Sequence, residues 1–320
     1  MANLENRSMQ QLPKSLVSFI VGLLVVFSLS VQAQPSDQPR FLSLTPEGGL
    51  PIIPVLEGWI ANADGTVSFS FGFFNRNEEA VDIPLGANNY IEPAKWNGLQ
   101  PTHFPAGRAT GAFSITVPGD EKEIDVWWNL VGSDGEALKV PGRWGGAALE
   151  LDFIVPRPQG SMQPQVGIGA DGNLVAGISA HRADYPGGAV QAGTPVAVSV
   201  NVSDPSPRDT SDPRFAEPLE LGVAFHQWQG PGRIEFSRHE STVVEENPYE
   251  ESDRRSRAFR EPAENEVMIR GGSGVATVYA IFSEPGEYII STKVDNFAAP
   301  ESSLGDQCCW SNVFQRITVR

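Results

Sequence analysis

Apolar and polar residues alternate along much of this chain, a pattern typical of β-strands that bury one face. Between Val67 and Phe73, one valine and three phenylalanines alternate with serine and glycine, and four valines between Val196 and Val202 alternate with smaller or polar residues. Burying a phenylalanine side chain contributes roughly 1.5–3 kcal/mol, so the aromatic face of the first segment is predicted to lie in a core.

The segment from Phe282 to Arg320 predicts two neighbouring strands at the end of the chain. A turn at Pro285 and Gly286 precedes a strand that is predicted to be half-buried, and a final strand follows at 313–319. The residues predicted to share one face of the first strand are Tyr288, Ile290, Thr292 and Val294. A tyrosine directly after such a turn resembles the tyrosine corner of immunoglobulin-like sandwiches.

No segment shows a sustained helical period, and short strand-like runs separated by turns fall into two groups of about seven. We therefore predict an all-β chain with two tandem immunoglobulin-like antiparallel β-sandwich domains. The last strand of the first domain is predicted at 149–153, and long loops are predicted at 84–108 and 238–264. The predicted segments are a signal peptide at 1–33, a tether at 34–40, an N-terminal sandwich at 41–155, a proline- and glycine-rich linker at 156–188 and a C-terminal sandwich at 189–320.

The N-terminal region has the features of a secretory signal peptide. Arg7 and Lys14 precede an apolar run from Leu16 to Val31, and Ala33 completes a small-residue cleavage site. A retained membrane anchor is the alternative, although the run is shorter than the roughly 20 apolar residues that a spanning helix needs. We expect an exported protein, periplasmic or extracellular, with no transmembrane span after cleavage.

The charge balance narrows the range of partners. With 23 basic and 39 acidic side chains, the formal net charge is −16. Nucleic acid and anionic membrane surfaces would be repelled at long range, so neither is expected as a partner.

The chain has two cysteines, Cys308 and Cys309, and they are adjacent. Across a trans peptide their Cα atoms would lie about 3.8 Å apart, below the ~4.4–6.8 Å that ordinary disulfides span, so a vicinal disulfide would form a tight ring that is easily reduced. One hypothesis is a redox-labile or ligand-contacting ring, or a pair of thiolates for a soft metal. The alternative is a purely structural ring, or two side chains that point to opposite faces.

Two other residues are candidate ligand contacts. His103, in the segment PTHFP of the first long loop, is the histidine most expected to contact a ligand, although a bond to the loop backbone is the simpler interpretation. Trp127 faces away from the core by the alternation of its strand, so it could stack on a sugar ring. The alternative is that the neighbouring domain or the long loop covers it.

Oxygen-rich turns suggest a calcium site at one end of the second sandwich. Asp204 and Asp295 are its candidate ligands. Aspartates that form turns before proline or serine explain the same residues without a metal. The four histidines lack the spacing of zinc or copper ligands. The expectation is a protein without a cofactor, with calcium or copper as the alternatives.

Several short strings resemble a group of uncharacterised exported bacterial proteins. They are EGWIANADGT, FGFFNRN, IPLGANN and PTHF in the first domain, and QGPG, EPGEY and DQCCWSN in the second. The resemblance covers most of the chain after the predicted signal peptide, and it implies a bacterial origin and tandem immunoglobulin-like or PKD-like domains. It carries no catalytic residue across, and the inter-sheet cysteine pair of antibody domains is missing.

The sequence contains no nucleophile elbow, phosphate loop or EF-hand pattern. The leading hypothesis is therefore an exported, non-enzymatic protein that binds a protein or glycan partner through loops on its sandwiches. The alternatives are a metal- or thiol-dependent redox protein that uses Cys308 and Cys309, and a carbohydrate-binding module that uses Trp127.

Overall fold

Strands, turns and a few short 3-10 helices make up the part of the chain that the structure describes. The computed structural model describes residues 49–320 apart from 133–134, 152–155, 180, 245–246, 248, 255, 257–260 and 303–308. These residues contain no α-helix, which confirms the all-β prediction. None of their helices is long and apolar enough to cross a membrane. The predicted signal peptide and tether lie outside them.

Among the described residues, eight strands build the N-terminal sandwich. They are β1 Ile52–Ala61, β2 Val67–Asn75, β3 Val81–Asp82, β4 Asn89–Glu92, β5 His103–Phe104, β6 Gly107–Val117, β7 Val126–Val131 and β8 Ala137–Gly142. One sheet has the order β1–β2–β6, a second has the order β4–β7–β8, and β3 pairs with β5.

In the part of the C-terminal sandwich that the structure describes, there are nine strands. They are β9 Gln165–Ile168, β10 His181–Asp184, β11 Val196–Ser203, β12 Leu221–Gln229, β13 Ile234–Arg238, β14 Glu266–Ile269, β15 Ser273–Phe282, β16 Gly286–Asp295 and β17 Trp310–Val319. A five-stranded sheet has the order β10–β17–β16–β12–β14, and a four-stranded sheet has the order β13–β15–β11–β9.

The aromatic face of β2 lies in a core, as its alternation predicts. Phe69, Phe71 and Phe73 are buried with Phe113 of β6 and Trp128 of β7. Phe71 stacks on Phe113 with the ring centroids 5.3 Å apart, and Trp128 meets both rings edge-on. Such pairs stabilise a core beyond the burial of their area.

The second core lies between the five-stranded and four-stranded sheets. Val198 and Val200 of β11 are fully buried there, together with Ile290 of β16. The Tyr288 hydroxyl donates a hydrogen bond to the Glu284 backbone carbonyl at 3.0 Å, which is the bond of a tyrosine corner. The C-terminal sandwich is therefore immunoglobulin-like.

The two sandwiches meet in one continuous aromatic contact. Trp228 of β12, Ile289 of β16 and Phe314 of β17 leave the five-stranded sheet on the side away from its own core and join the N-terminal core. The ring centroids of Trp228 and Phe113 lie 6.0 Å apart. Because β16 is consequently buried on both faces, the prediction of a half-buried strand was wrong. Alternation of apolar and polar residues identifies the face of a strand that lies in its own core, but it cannot show that another domain covers the opposite face.

The segment predicted to be a linker contributes to the sheets. β9 pairs with β11, and β10 pairs with β17. Ile178 packs against Ile60 of β1, and the Ser179 hydroxyl accepts a hydrogen bond from the Ser114 backbone N–H at 2.7 Å. The sequence pattern assigned these residues to a linker between the domains, whereas β9 and β10 belong to the sheets of the C-terminal sandwich, because distant partners, rather than local propensity, stabilise such short strands.

Two further predictions about the first domain need correction. Leu149 lies in a short 3-10 helix, Ala147–Leu149, and is exposed, whereas Phe153 lies outside the described residues. The long loop predicted at 84–108 contains β4, β5 and the start of β6. Because the segment is rich in Pro, Gly and Asn, its sequence predicted a loop. Hydrogen bonds to neighbouring strands stabilise the strands that form there.

Candidate functional site

A cleft opens between the two sandwiches where four separate segments of the chain meet. Segment 79–85 and the residues Thr102 and His103 form the N-terminal wall, and segments 229–234 and 283–287 contribute to the C-terminal wall. The cleft consists of two adjoining hollows of about 600 and 390 Å³, both with Asp82 and Arg233 in their walls. Hollows of this size are typical of binding sites in proteins, which span roughly 300–1,000 Å³.

Two buried asparagines fix the N-terminal wall. The Asn75 side-chain amide donates to the backbone carbonyls of Glu79 and Phe104 at 2.9 and 2.8 Å. The Asn89 amide donates to the carbonyls of Ile83 and Pro101 at 2.9 and 2.6 Å. Each side chain therefore ties the segment between β2 and β4 to the backbone around β5.

Two buried side chains fix the C-terminal wall in the same way. The Gln227 amide donates to the Gly232 carbonyl at 2.8 Å, and the Gln227 side-chain oxygen accepts from the Ile234 N–H at 2.8 Å. The Tyr288 hydroxyl accepts a hydrogen bond from the Gly232 N–H at 3.2 Å. The Tyr288 ring also packs against Gly230, where a Cβ atom would come within 2.2 Å of the ring, so the QGPG turn requires glycine there.

The walls are joined at the base of the cleft by hydrogen bonds between the sandwiches. The Trp228 indole N–H donates to the Leu99 carbonyl at 2.6 Å, and the Thr102 N–H donates to the Trp228 carbonyl at 2.9 Å. The Gln229 amide donates to the carbonyls of Gly98 and Gln100 at 3.0 and 2.7 Å. Because both walls are held by buried or part-buried polar groups, the cleft is a preformed feature of the fold.

His103 lies in the wall of the smaller hollow with one carboxylate partner. Its Nδ1 is 2.7 Å from Oδ1 of Asp82, because the pairing of β3 with β5 places the two residues opposite each other. The His103 side chain is 19% exposed and the Asp82 side chain 60%. His103 therefore bonds a side chain rather than the loop backbone, and with Nδ1–H donated to Asp82 its Nε2 can bond a ligand.

Negative charge predominates in the lining of the cleft. The described lining contains one guanidinium, that of Arg233, and one imidazole, that of His103. The carboxylates of the lining are those of Glu79, Asp82, Glu284 and Glu287, and all four residues are exposed. Apolar contact surface comes from Pro84, Leu85 and Pro231. The arrangement suits a ligand that is positively charged and partly apolar.

Trp127 lies on the outer face of the β4–β7–β8 sheet, away from the cleft. It is half-buried, and the Nζ atom of Lys139 lies 4.5 Å from the centroid of its ring. The four lysines after Lys14 all cover a tryptophan in this way, in the pairs Lys95–Trp96, Lys122–Trp144, Lys139–Trp127 and Lys293–Trp310. Stacking of a sugar on Trp127 would need Lys139 to move aside, and carbohydrate binding there stays a prediction.

The two aspartates predicted to bind calcium have other partners. Asp204 forms a buried ion pair with Arg208, and its carboxylate also accepts from the Ser206 N–H. Asp295 accepts a hydrogen bond from the Phe297 N–H at 3.1 Å, and burial raises the pKa of its carboxyl. In the described residues no group of three or more His, Cys, Asp or Glu side chains could hold a metal ion. A calcium or copper site stays a prediction from the sequence.

Cys309 lies far from solvent in a small cluster with Ile60, Ile178 and Trp310. It is fully buried and disulfide-bonded. Cys308 lies outside the described residues, so a redox role for the pair stays a prediction. His103 lines the cleft while Cys309 lies in this cluster, so the structure does not bring the two into one site.

No family model and no curated protein matches the chain. Among solved structures, it is similar to a PapD-like domain of human CEP192, with 10% identity over 55% of this chain and 97% of that one and a TM-score of 0.25. It is also similar to the D0–D1 domain of intimin, with 12% identity over 83% of this chain and 94% of that one and a TM-score of 0.21. At TM-scores this low, the neighbours say nothing about the function of this protein.

The structure places His103, a candidate from the sequence, in the wall of the cleft beside residues that the sequence did not single out. Asn75 and Asn89 lie in the strings FGFFNRN and IPLGANN, and an asparagine in a turn-rich segment ordinarily indicates only a turn. Arg233 directly follows the QGPG turn, and the spacing of the residues around it does not indicate a binding role. The contacts that unite these residues join positions far apart in the chain, so a local pattern cannot reveal them.

Proposed function

We propose that this protein is an exported binding protein whose cleft holds a positively charged, partly apolar segment of a partner protein. The observation that carries the proposal is the position of four carboxylates on the walls of a cleft that buried asparagine, glutamine and tyrosine side chains hold in shape. A rigid site loses little conformational entropy on binding. Export is supported by the signal-peptide pattern at 1–33.

The charges explain attraction and orientation better than they explain affinity. An exposed ion pair contributes about 0.2–1 kcal/mol, so four of them provide only a modest part of the binding free energy. The long-range field of a chain with a net charge of −16 would increase the rate of association with a basic partner and suppress acidic ones. Affinity would then depend on apolar contacts with Pro84, Leu85 and Pro231.

The surroundings of His103 support binding rather than catalysis. A histidine that activates a nucleophile contacts both the nucleophile and an orienting group. Among the described residues, His103 has one polar side-chain partner, Asp82. The Ser283 hydroxyl in the larger hollow accepts a hydrogen bond from the Arg233 N–H at 2.8 Å and belongs to the turn.

A displayed library of random dodecapeptides, selected on the purified protein, tests the proposal. We expect enriched peptides to be rich in lysine and arginine and to bind the double variant Glu284→Gln/Glu287→Gln at least fivefold more weakly. The matched control is Asp120→Asn/Asp171→Asn, which removes two exposed carboxylates outside the cleft and should leave binding unchanged. Enriched peptides without basic residues, or equal loss in both double variants, would contradict the proposal.

A further inference from the structure

The free side of β14 opens into a groove of about 700 Å³ on the C-terminal sandwich. Within the described part of the chain, β14 is the last strand of the five-stranded sheet, and its strand partner there is β12. The groove is lined by described residues from β12, β14 and β15 and by the segments 241–243 and 262. None of its lining residues belongs to the cleft between the sandwiches.

The backbone of Met268 points into this free side. The Phe225 N–H donates to the Asn265 carbonyl at 2.9 Å, and the register of the same ladder places Gly222 opposite Met268. Hydrogen-bonded and non-hydrogen-bonded pairs alternate along an antiparallel ladder. Gly222 and Met268 lie three positions from the hydrogen-bonded pair of Phe225 and Asn265, so they form a non-hydrogen-bonded pair. The N–H and C=O of Met268 are therefore directed away from β12, where an added strand could pair with them.

Apolar side chains are exposed around this backbone. Met268 is 41% exposed, Val275 of β15 is 45% exposed and Val243 is 81% exposed, and all three line the groove. An exposed edge strand beside apolar side chains is a template for pairing with another chain. Pairing of this kind is how extended peptides add to sheet edges in known recognition modules.

The charges beside the apolar side chains favour a cation. Three carboxylates line the groove, those of Glu220, Glu266 and Asp295, against one guanidinium, that of Arg270. The Asp295 carboxylate lies across Gly222, where a Cβ atom would come within 2.7 Å of Oδ2. A lysine or arginine of an added strand would place its charge beside these carboxylates.

We propose that β14 is a strand-addition site for an extended segment of a partner protein in which apolar residues alternate with lysine or arginine. The main chain of that segment pairs with Met268, its apolar side chains contact Val243 and Val275, and its basic side chains reach Glu266 and Asp295. The site is independent of the cleft, so one can exist without the other.

The probe is the fluorescently labelled peptide acetyl-KVTVKVTVK-amide, with acetyl-EVTVEVTVE-amide as the charge control. We expect the basic peptide to bind saturably, and the acidic peptide to bind at least roughly tenfold more weakly. Met268→Pro removes the outward N–H without removing a hydrogen bond to β12 and should weaken binding of the basic peptide about tenfold or more. Met268→Ala keeps the N–H and should weaken it less.

Two further measurements keep the test decisive. Amide exchange of Met268 should slow when the basic peptide is added to the unaltered protein, which requires no variant to fold. The cleft variant Glu284→Gln/Glu287→Gln should bind the peptide as the parent does, so failure at the two sites can be told apart. Absence of binding, unchanged binding by a folded Met268→Pro variant, or self-association of the protein that this variant abolishes would overturn the proposal.

Discussion

The hydroxyl of Tyr288 donates a hydrogen bond to the backbone carbonyl of Glu284, four residues earlier, at 3.0 Å. The same oxygen accepts from the Gly232 N–H, so one side chain joins the two turns that form the C-terminal wall of the cleft. Replacing it by phenylalanine leaves a part-buried N–H and a carbonyl without this partner. We expect Tyr288→Phe to lower the free energy of unfolding by about 1–3 kcal/mol, measured by urea denaturation.

Tyr279→Phe is the matched control for this variant. The Tyr279 hydroxyl donates to the exposed Glu240 carboxylate at 2.8 Å, where water can replace it. Its loss should cost less than about 0.5 kcal/mol. Equal effects of the two substitutions would show that the tyrosine corner does not stabilise the fold as described.

Trp228 couples the two sandwiches through its ring and its indole N–H. We expect Trp228→Ala to lower the free energy of unfolding by about 3–5 kcal/mol, because the substitution leaves a cavity in a shared core and removes the hydrogen bond to the Leu99 carbonyl. Trp228→Phe should cost less, since it keeps an aromatic ring beside Phe113. Calorimetry should show one transition for the parent, and two separate transitions in the parent would contradict a shared core.

Lys293 provides a prediction about pH. Burial lowers the pKa of Lys293 from its ordinary value of 10.5 to about 8, although the carboxylates of Asp295 and Glu57 oppose this shift. Between these values the unfolded chain binds more protons than the folded one, so the contribution of Lys293 to stability increases as the pH rises from about 8 towards 10. Urea midpoints at pH 7.5, 8.5 and 9.5 should rise less steeply in Lys293→Met than in the parent. Parallel pH profiles would count against a buried, poorly solvated lysine.

The ion pair of Asp204 and Arg208 is buried, with 5% and 8% of the side chains exposed. Arg208→Ala leaves the Asp204 charge uncompensated in the interior, so we expect a loss of about 3–5 kcal/mol in a urea titration. The exposed pair of Arg214 with Asp212 is the control, and Arg214→Ala should cost about 1 kcal/mol or less. A small loss in both variants would mean that Asp204 is solvated or has another partner.

Carbohydrate binding on Trp127 can be tested through the lysine that covers it. If sugars stack on this ring, Lys139→Ala should strengthen signals on a glycan array and Trp127→Ala should abolish them. An array on which the parent and Lys139→Ala both give no signal would remove this alternative.

The sequence predicted the strands better than their surroundings. Alternation alone placed Phe69, Phe71 and Val200 in cores, because a period of two reports directly on a buried face. It could not predict that Ile289 is buried, since the covering surface belongs to the other sandwich.

The candidate site shows the same limit. His103 could be chosen as a candidate by its residue type. The residues beside it in the cleft could not, because Asp82 belongs to a two-residue strand and Arg233 belongs to the other domain. The tyrosine corner was predictable because its bond joins residues only four positions apart. A site that is assembled from four distant segments has no local sequence pattern that would predict it.

Hydrogen–deuterium exchange with and without an enriched basic peptide shows whether the peptide binds in the cleft between the sandwiches. We expect slower exchange in the backbone of 79–85, 102–103, 229–234 and 283–287, and weaker protection of the same segments in Glu284→Gln/Glu287→Gln at the same peptide concentration. Protection confined to other surfaces, with these four segments unchanged, would contradict binding in the cleft.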